Sequence, residues 1–203
     1  MNKRPLIVAI EGGDYVGKST TIEAMKEIDL LPNCKYKKQP SMLKTGQLIK
    51  TLLLEKDLPN SILATAYALD RAYQEHLFPH NSKSSIYVYD RSIVSSIVMQ
   101  TDKSFTPEEV MQINKSSTLP DMVIWLRCTE KTLRERRDSR RDLVDPFDEN
   151  FLHWHRMYEE KMPKLNQWLP QTTVCEVWVD EKLPSVIAKQ VSYIVFHAWS
   201  HLQ

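Results

Sequence analysis

Residues 11–20 read Glu-Gly-Gly-Asp-Tyr-Val-Gly-Lys-Ser-Thr, and no other stretch restricts the fold of this chain so tightly. Gly12, Gly17, Lys18 and Ser19 satisfy G-x-x-x-x-G-K-[ST]. The apolar run Leu6–Ile10 precedes the pattern and a helix-compatible segment, residues 20–28, follows it. Strand, glycine-rich turn and helix in that order make a phosphate-binding loop. Its backbone N–H groups turn inward, and the positive end of the next helix adds to the pull on an anion. Lys18 is placed to reach the outer phosphates of a nucleoside triphosphate, and the Ser19 hydroxyl to sit on Mg²⁺. Three of the chain's four glycines, Gly12, Gly13 and Gly17, fall in this window, so the loop and not a general flexibility accounts for them.

The 203 residues are enough for one domain with a substantial core and too few for two comfortable ones. Lys+Arg of 27 against Asp+Glu of 26 leaves a net charge of +1, so no global field recruits nucleic acid or a membrane surface. Cys34, Cys128 and Cys175 are odd in number and widely spaced, which argues against a disulfide framework or a zinc site and for reduced thiols. The N-terminal apolar run is five residues long and ends in a glutamate, too short for a secretory signal. These features predict a soluble, cytoplasmic protein.

Strand-like and helix-like segments alternate from end to end, the mark of an α/β fold with a mostly parallel sheet. Strands are predicted at residues 6–10, 34–39, 85–89, 121–126 and 174–179. Helices are predicted over 43–55, 62–77 with Asn60-Ser61 as its cap, 93–100, the segment opened by Thr106-Pro107-Glu108-Glu109, a long helix 149–169, and a tail 184–202. The tail places Val186, Ile187, Val191, Ile194, Val195, Ala198, Trp199 and Leu202 on one apolar stripe. No repeat or linker divides the chain, so residues 1–203 are expected to form a single domain.

Two further groups carry chemistry. Asp90-Arg91 ends a hydrophobic strand, and ligands of open α/β sheets gather at the carboxyl ends of strands. An aspartate there can hold Mg²⁺, and an arginine offers a fork matched to a pair of phosphate oxygens. The second group is Lys131, Arg134, Arg136, Arg137, Arg140 and Arg141, six cations within eleven residues. Interleaved acids allow a merely solvated helix. The functional alternative is a lid, about residues 130–148, that brings arginine to a transferring phosphoryl group and excludes water.

These motifs, in this order, resemble those of thymidylate kinases along most of the chain. The family's E-G-x-D-x-x-G-K-S-T is met by Glu11, Gly12, Asp14, Gly17, Lys18, Ser19 and Thr20, and its R-E-P by Lys38-Gln39-Pro40. Its F-A-x-D-R-A reads Tyr67-Ala68-Leu69-Asp70-Arg71-Ala72, and its D-R-Y-x-x-S-S-x-A-Y-Q reads from Asp90 to Gln100. The resemblance implies a P-loop fold with a five-stranded, mostly parallel sheet and a helical lid. It implies transfer of the γ-phosphoryl group of Mg·ATP to dTMP or a related pyrimidine deoxynucleotide, and a homodimer paired through helices. Gly12, Gly13, Asp14, Tyr15, Val16, Gly17, Lys18, Ser19 and Thr20 would cradle ATP, with Ser19 and Asp90 on the metal. Asp14, Lys38, Tyr67, Arg71, Arg91, Ser96 and Gln100 would hold the acceptor, with Tyr67 stacked on the base and Arg71 on a base carbonyl. Lys18, Asp90, Arg91 and one of Arg134, Arg137 or Arg140 would carry the transfer.

The departures are specific. Lys38 stands where the family has arginine, and Ser92 where it has a tyrosine that helps exclude a ribose 2′-hydroxyl. Asp145-Pro146-Phe147-Asp148 lacks the arginine of the lid's D-R-[FI]-E. Two other readings are open at this point. One is a deoxynucleoside kinase, although Gln39 occupies the position where that class carries its glutamate base and cannot take a proton. The other is a P-loop protein that binds nucleotide without turnover.

Overall fold

The computed structural model describes residues 4–55, 57–80, 85–139 and 150–201. Five parallel strands form one sheet in the order β2-β3-β1-β4-β5: β1 (Leu6–Glu11), β2 (Cys34–Lys38), β3 (Ile86–Asp90), β4 (Met122–Arg127) and β5 (Thr173–Trp178). β1 is central and buried on both faces, which is why its sequence is continuously apolar rather than alternating. Helices cover both sides. Leu6, Val8, Ile10, Val88 and Ile124 pack with Ile22 and Met25 of α1 (Lys18–Ile28) and with Ile187, Val191 and Val195 of α8 (Pro184–His201). On the other face Ala9, Val123 and Trp125 meet α4 (Ile93–Met99), α5 (Pro107–Ile113) and α7 (Phe151–Lys161). The remaining helices are α2 (Lys44–Leu52), α3 (Asn60–Leu77) and α6 (Glu130–Ser139). Among the described residues no helix is long and apolar enough to cross a membrane.

The register sets the site. Ile10 lies beside Asp90, and Asp90 beside Lys38, so the carboxyl ends of β1, β3 and β2 finish level. The loops that leave them therefore open on one edge of the sheet.

Most predicted elements appear within a residue or two of their expected ends, and the exceptions have local causes. The long helix expected over 149–169 stops as α7 at Lys161 and continues as a 3₁₀ segment, Met162–Gln167. Pro163 has no N–H for the α-helical ladder. Asn60 does not cap α3; Pro59 holds the cap position, and the Asn60 amide bonds Asp102 instead. Val186 is half exposed and falls off the buried stripe of α8, which runs through Ile187, Ala188, Val191 and Val195. Thr106 and Glu109 form the reciprocal capping box that their spacing suggests.

Gly46 determines how the loop after β2 reaches the site. A Cβ there would stand 1.9 Å from the Ser41 carbonyl oxygen and 2.9 Å from its nitrogen. This contact lets Ser41 tuck against α2, where Asp70 of α3 accepts hydrogen bonds from the Ser41 amide (2.7 Å), the Ser41 hydroxyl (2.6 Å) and Thr45 (2.6 Å). Replacing Gly46 by alanine forces the two backbones apart. The expected loss is roughly 3 kcal/mol, a drop in Tm of about 6–12 °C. Thermal unfolding of Gly46→Ala checks it, with Lys50→Ala on the exposed side of the same helix as a control that should leave Tm unchanged.

Candidate active site

The phosphate loop is built from conformations that favour glycine. Gly12 (φ 142°) and Gly17 (φ 101°) both lie at positive φ, and a Cβ at Gly12 would fall 2.6 Å from the Leu126 carbonyl oxygen. Tyr15 is also at positive φ, and its ring stands edge-on to Phe151 at 5.6 Å. Gly13 packs against the backbone of His155 on α7, and Val16 is buried in the core. The Lys18 ammonium donates to the Gly12 and Gly13 carbonyls at 3.0 and 2.6 Å. Burial and the neighbouring Arg91 lower its pKa to about 8 despite Asp14, Asp90 and Glu11. It is still mainly charged at neutral pH.

Ser19 donates to Asp90 Oδ2 at 3.1 Å, and Lys38 Nζ stands 3.8 Å from the same oxygen. A hydroxyl and a carboxylate side by side at the head of α1 form a hard oxygen pair of the kind Mg²⁺ takes. Arg91 follows Asp90 at φ 68°, and this turn aims its guanidinium back across the loop. One nitrogen bonds Asp14 at 2.5 Å; the other donates to Tyr158 (3.2 Å) and Ser95 (3.3 Å). Burial pulls its pKa down, but Tyr158, Asp14, Glu11 and Asp90 outweigh that and hold it above the usual arginine value.

Behind Arg91 lies Glu11, whose side chain has no exposed surface. Ser92 donates to one carboxylate oxygen at 2.7 Å, while the Ser95 and Tyr158 hydroxyls lie 2.8 Å from the other. Tyr158 is a site residue that sequence reasoning misses, because a tyrosine in mid-helix carries no motif. Burial together with Glu11 raises its pKa well above that of free tyrosine, so it stays a donor.

A cavity of about 460 Å³ joins these groups to apolar and aromatic side chains. Asp14, Lys18, Ser19, Lys38, Asp90 and Arg91 line it together with Leu63, Tyr67, Met99, Gln100 and Trp154. The volume suits a ligand with one ionic and one planar part. Tyr67 faces the cavity rather than the core, and Gln100 is buried with its Oε1 unpartnered. Arg71 and Ser96 do not line the cavity in this conformation. Arg71 is buried one layer behind and bonds Asn114 (2.8 Å), Ser96 (2.9 Å) and Gln39 (3.3 Å). It pairs with neither Asp70, which holds Ser41, nor Glu75, which holds Thr118. Burial lowers its pKa to about 10.

The lid arginines divide differently from expectation. Arg134 is exposed and paired with Glu130 at 3.7 Å, and Arg137 bonds Asp138 and lies over the Phe151 ring at 4.8 Å. Among the described lid arginines, Arg136 is the one that reaches the loop. It donates to the carbonyls of Val16 (2.7 Å) and Val179 (3.0 Å), tying the loop to the end of β5. A row of arginines in sequence cannot show which one faces inward. Arg140 and the segment Asp145–Asp148 lie outside the described residues.

The Lys18 environment makes a measurable statement about pH. Above a pKa of about 8 the free protein loses the ammonium that an incoming triphosphate needs. ATP affinity should weaken close to tenfold from about pH 7.5 to about pH 9. Lys18→Arg should remove that alkaline limb, and equilibrium binding across the pH range checks both.

A family model described as thymidylate kinase matches residues 10–181. The thymidylate kinase of Helicobacter hepaticus is 32% identical over 146 residues, covering 66% of this chain and 72% of that protein. The probable thymidylate kinase of Methanosphaera stadtmanae is 30% identical over 151 residues, covering 70% and 75%. A solved thymidylate kinase from Candida albicans superposes with a TM-score of 0.67 at 17% identity, over 98% of this chain and 94% of that one, which establishes the shared P-loop fold. With a family model over most of its length and relatives at this identity, the chain belongs to the thymidylate kinase family.

Proposed function

We propose that this enzyme transfers the γ-phosphoryl group of Mg·ATP to the 5′-phosphate of dTMP. The observation that carries the reading is the mixed lining of the cavity. Lys18, Lys38 and Arg91 line it together with the Tyr67 ring and Gln100, whose amide oxygen is unpaired. A buried Gln100 Oε1 calls for an N–H donor, and the N3–H of a thymine or uracil base is one, whereas cytosine presents an acceptor at N3.

The residues divide the work by charge. Two polyanions must meet end to end, and such a transfer is mostly a matter of position and neutralisation. Lys18 and the loop amides take the donor, while Lys38 and Arg91 take the acceptor phosphate. Ser19 and Asp90 fit a bound Mg²⁺, which would neutralise charge on the transferring group. Asp14, already held by Arg91, faces the acceptor sugar. Tyr67 forms the base platform, and Arg71 with Ser96 backs it. The lid over 130–148 supplies further cation from Arg134, Arg137 or Arg140, with Arg136 fixing its root to the loop.

The nucleoside kinase alternative needs a general base. Gln39 is neutral and already accepts from Arg71, and the cavity's carboxylates are engaged, Asp14 by Arg91 and Asp90 by Ser19. A monophosphate acceptor arrives ionised and needs none.

The proposal also includes a homodimer and a cytoplasmic location. α3 carries exposed Ile62, Leu69, Tyr73 and Leu77 along one stripe, with exposed Leu48 on neighbouring α2, the kind of apolar surface a partner covers. Three free cysteines suit a reducing compartment. A coupled assay across deoxy- and ribonucleoside monophosphates, with thymidine as control, should show ATP-dependent turnover of dTMP. Lys18→Ala should reduce it at least about a thousandfold. Exclusive use of thymidine would overturn the assignment.

A further inference from the structure

A second groove, of about 760 Å³, follows the free edge of the sheet along β2 between α1 and the C-terminal end of α3. It meets the cavity described above at Ser19, Lys38 and Asp90, which line both. Its charge is one-sided. Lys26, Lys35, Lys37 and Lys38 line it, against Glu23 and Asp90. Glu23 pairs with Lys26 at 2.7 Å and Asp90 faces Lys38 at 3.8 Å. Lys35 and Lys37 have no carboxylate within 4.0 Å among the described residues.

The lysines are arranged on aromatic walls. Strand alternation sends Lys35 and Lys37 to the face of Tyr87, where their ammonium groups lie 5.4 and 5.2 Å from the ring centre. Lys26 lies 5.4 Å from the Tyr36 ring on the opposite side of the edge, so the groove wraps over β2 with cation on both flanks. Phe78 and Met42 line it with much of their apolar surface in water. Two side chains that also line it are more than nine-tenths buried and leave a polar atom unpartnered: the Tyr87 hydroxyl and Gln74 Oε1. Buried polar atoms are paired as a rule, so two orphans beside one groove leave hydrogen-bonding capacity next to it.

Four lysines, of which Lys35 and Lys37 have no carboxylate partner and Lys37 donates to the Phe78 carbonyl at 2.6 Å, together with exposed apolar side chains suit a nucleotide, whose phosphate chain and aromatic base make opposite demands. We propose that the β2-edge groove is a second nucleotide site. It takes the phosphates of a nucleoside triphosphate on Lys26, Lys35, Lys37 and Lys38, and it weakens acceptor binding when filled. The coupling runs through Lys38 and rests on the acceptor role assigned to it above. A lysine is a single flexible point charge, and it cannot serve anions in both cavities at once. By reciprocity, a bound acceptor phosphate weakens the groove ligand to the same degree.

The test uses the whole protein with the first two sites filled by Mg·AMP-PNP and dTMP, in excess Mg²⁺. Labelled dTTP is titrated by equilibrium dialysis. One further equivalent should bind, and Lys26→Ala/Lys35→Ala, both exposed positions, should weaken it about tenfold. Without dTTP that variant should match the wild type in kcat and KM. In the wild type, dTTP should raise the KM for dTMP at saturating ATP, and in the variant that rise should disappear. Tripolyphosphate should compete with several-fold lower affinity, because it leaves Phe78 and Met42 uncovered. Equal affinity would make this an inorganic polyphosphate site and overturn the nucleotide assignment. No third equivalent, or one indifferent to the double substitution, would overturn the groove itself. Binding is read without turnover, so a failure of dTMP as substrate would show in the assay above and leave this result independent.

Discussion

Glu11 is the constraint on which the site depends. It ends the central strand, has no contact with water, and is surrounded by three hydroxyls from two different helices or their approaches: Ser92, Ser95 and Tyr158. A buried carboxylate without such donors is very costly. The elements that carry them are therefore fixed to the strand that feeds the phosphate loop. Two of those hydroxyl groups also face Arg91, so the arginine sits between a buried anion behind it and Asp14 in front. That sandwich keeps a left-handed, non-glycine residue in place and points its guanidinium across the loop.

The same arrangement explains how a short cavity tolerates so many charges of one sign. Lys18, Lys38, Arg71 and Arg91 lie within or just behind it. In the free protein each is occupied by its own neighbours: loop carbonyls, Asp90, neutral amides, and Asp14. Among the described residues these donors are already held in place, so an arriving phosphate exchanges with existing partners. Arg71 differs from the rest in having no carboxylate within 4.0 Å among the described residues. Where the family has glutamate in its R-E-P motif, this chain has Gln39, which meets Arg71 with an amide oxygen instead of a charge. Burial then works against its cation without a carboxylate in contact to offset it.

Legibility in the sequence follows the range of the interaction. The phosphate loop, the alternation of strands and helices, and the capping box at Thr106 are local, and the chain declares them through glycine, apolar periodicity and turn chemistry. Asp90 and Arg91 are legible because a strand end near a phosphate loop is a position with meaning. Tyr158 is not, since its role comes from 147 residues of separation to Glu11. Arg136 is visible only as one of six cations; which of them faces the loop depends on the rotation of α6 against the sheet. Arg71 is assigned to the correct helix, but its depth behind Gln39 depends on how α3 packs on α5. Pro163 is the signal that ends the long helix, and the apolar stripe running through it conceals the break.

Three of the departures from the family pattern cluster at the carboxyl ends of two strands. Lys38, Gln39 and Ser92 all differ, and all lie at or just beyond the ends of β2 and β3, whereas the phosphate loop keeps every expected position. An arginine at 38 would commit its fork to one geometry, while a lysine leaves its charge movable along a lysine-rich edge. A tyrosine at 92 could not fill the place that serine takes, where one small hydroxyl both caps α4 and donates to Glu11. The space a tyrosine ring would have blocked must then be closed by another group. Met99 and Trp154, which line the same cavity, offer apolar surface for this. In the proposed reading, acceptor selection then rests on side chains of α4 and α7 rather than on the turn after β3.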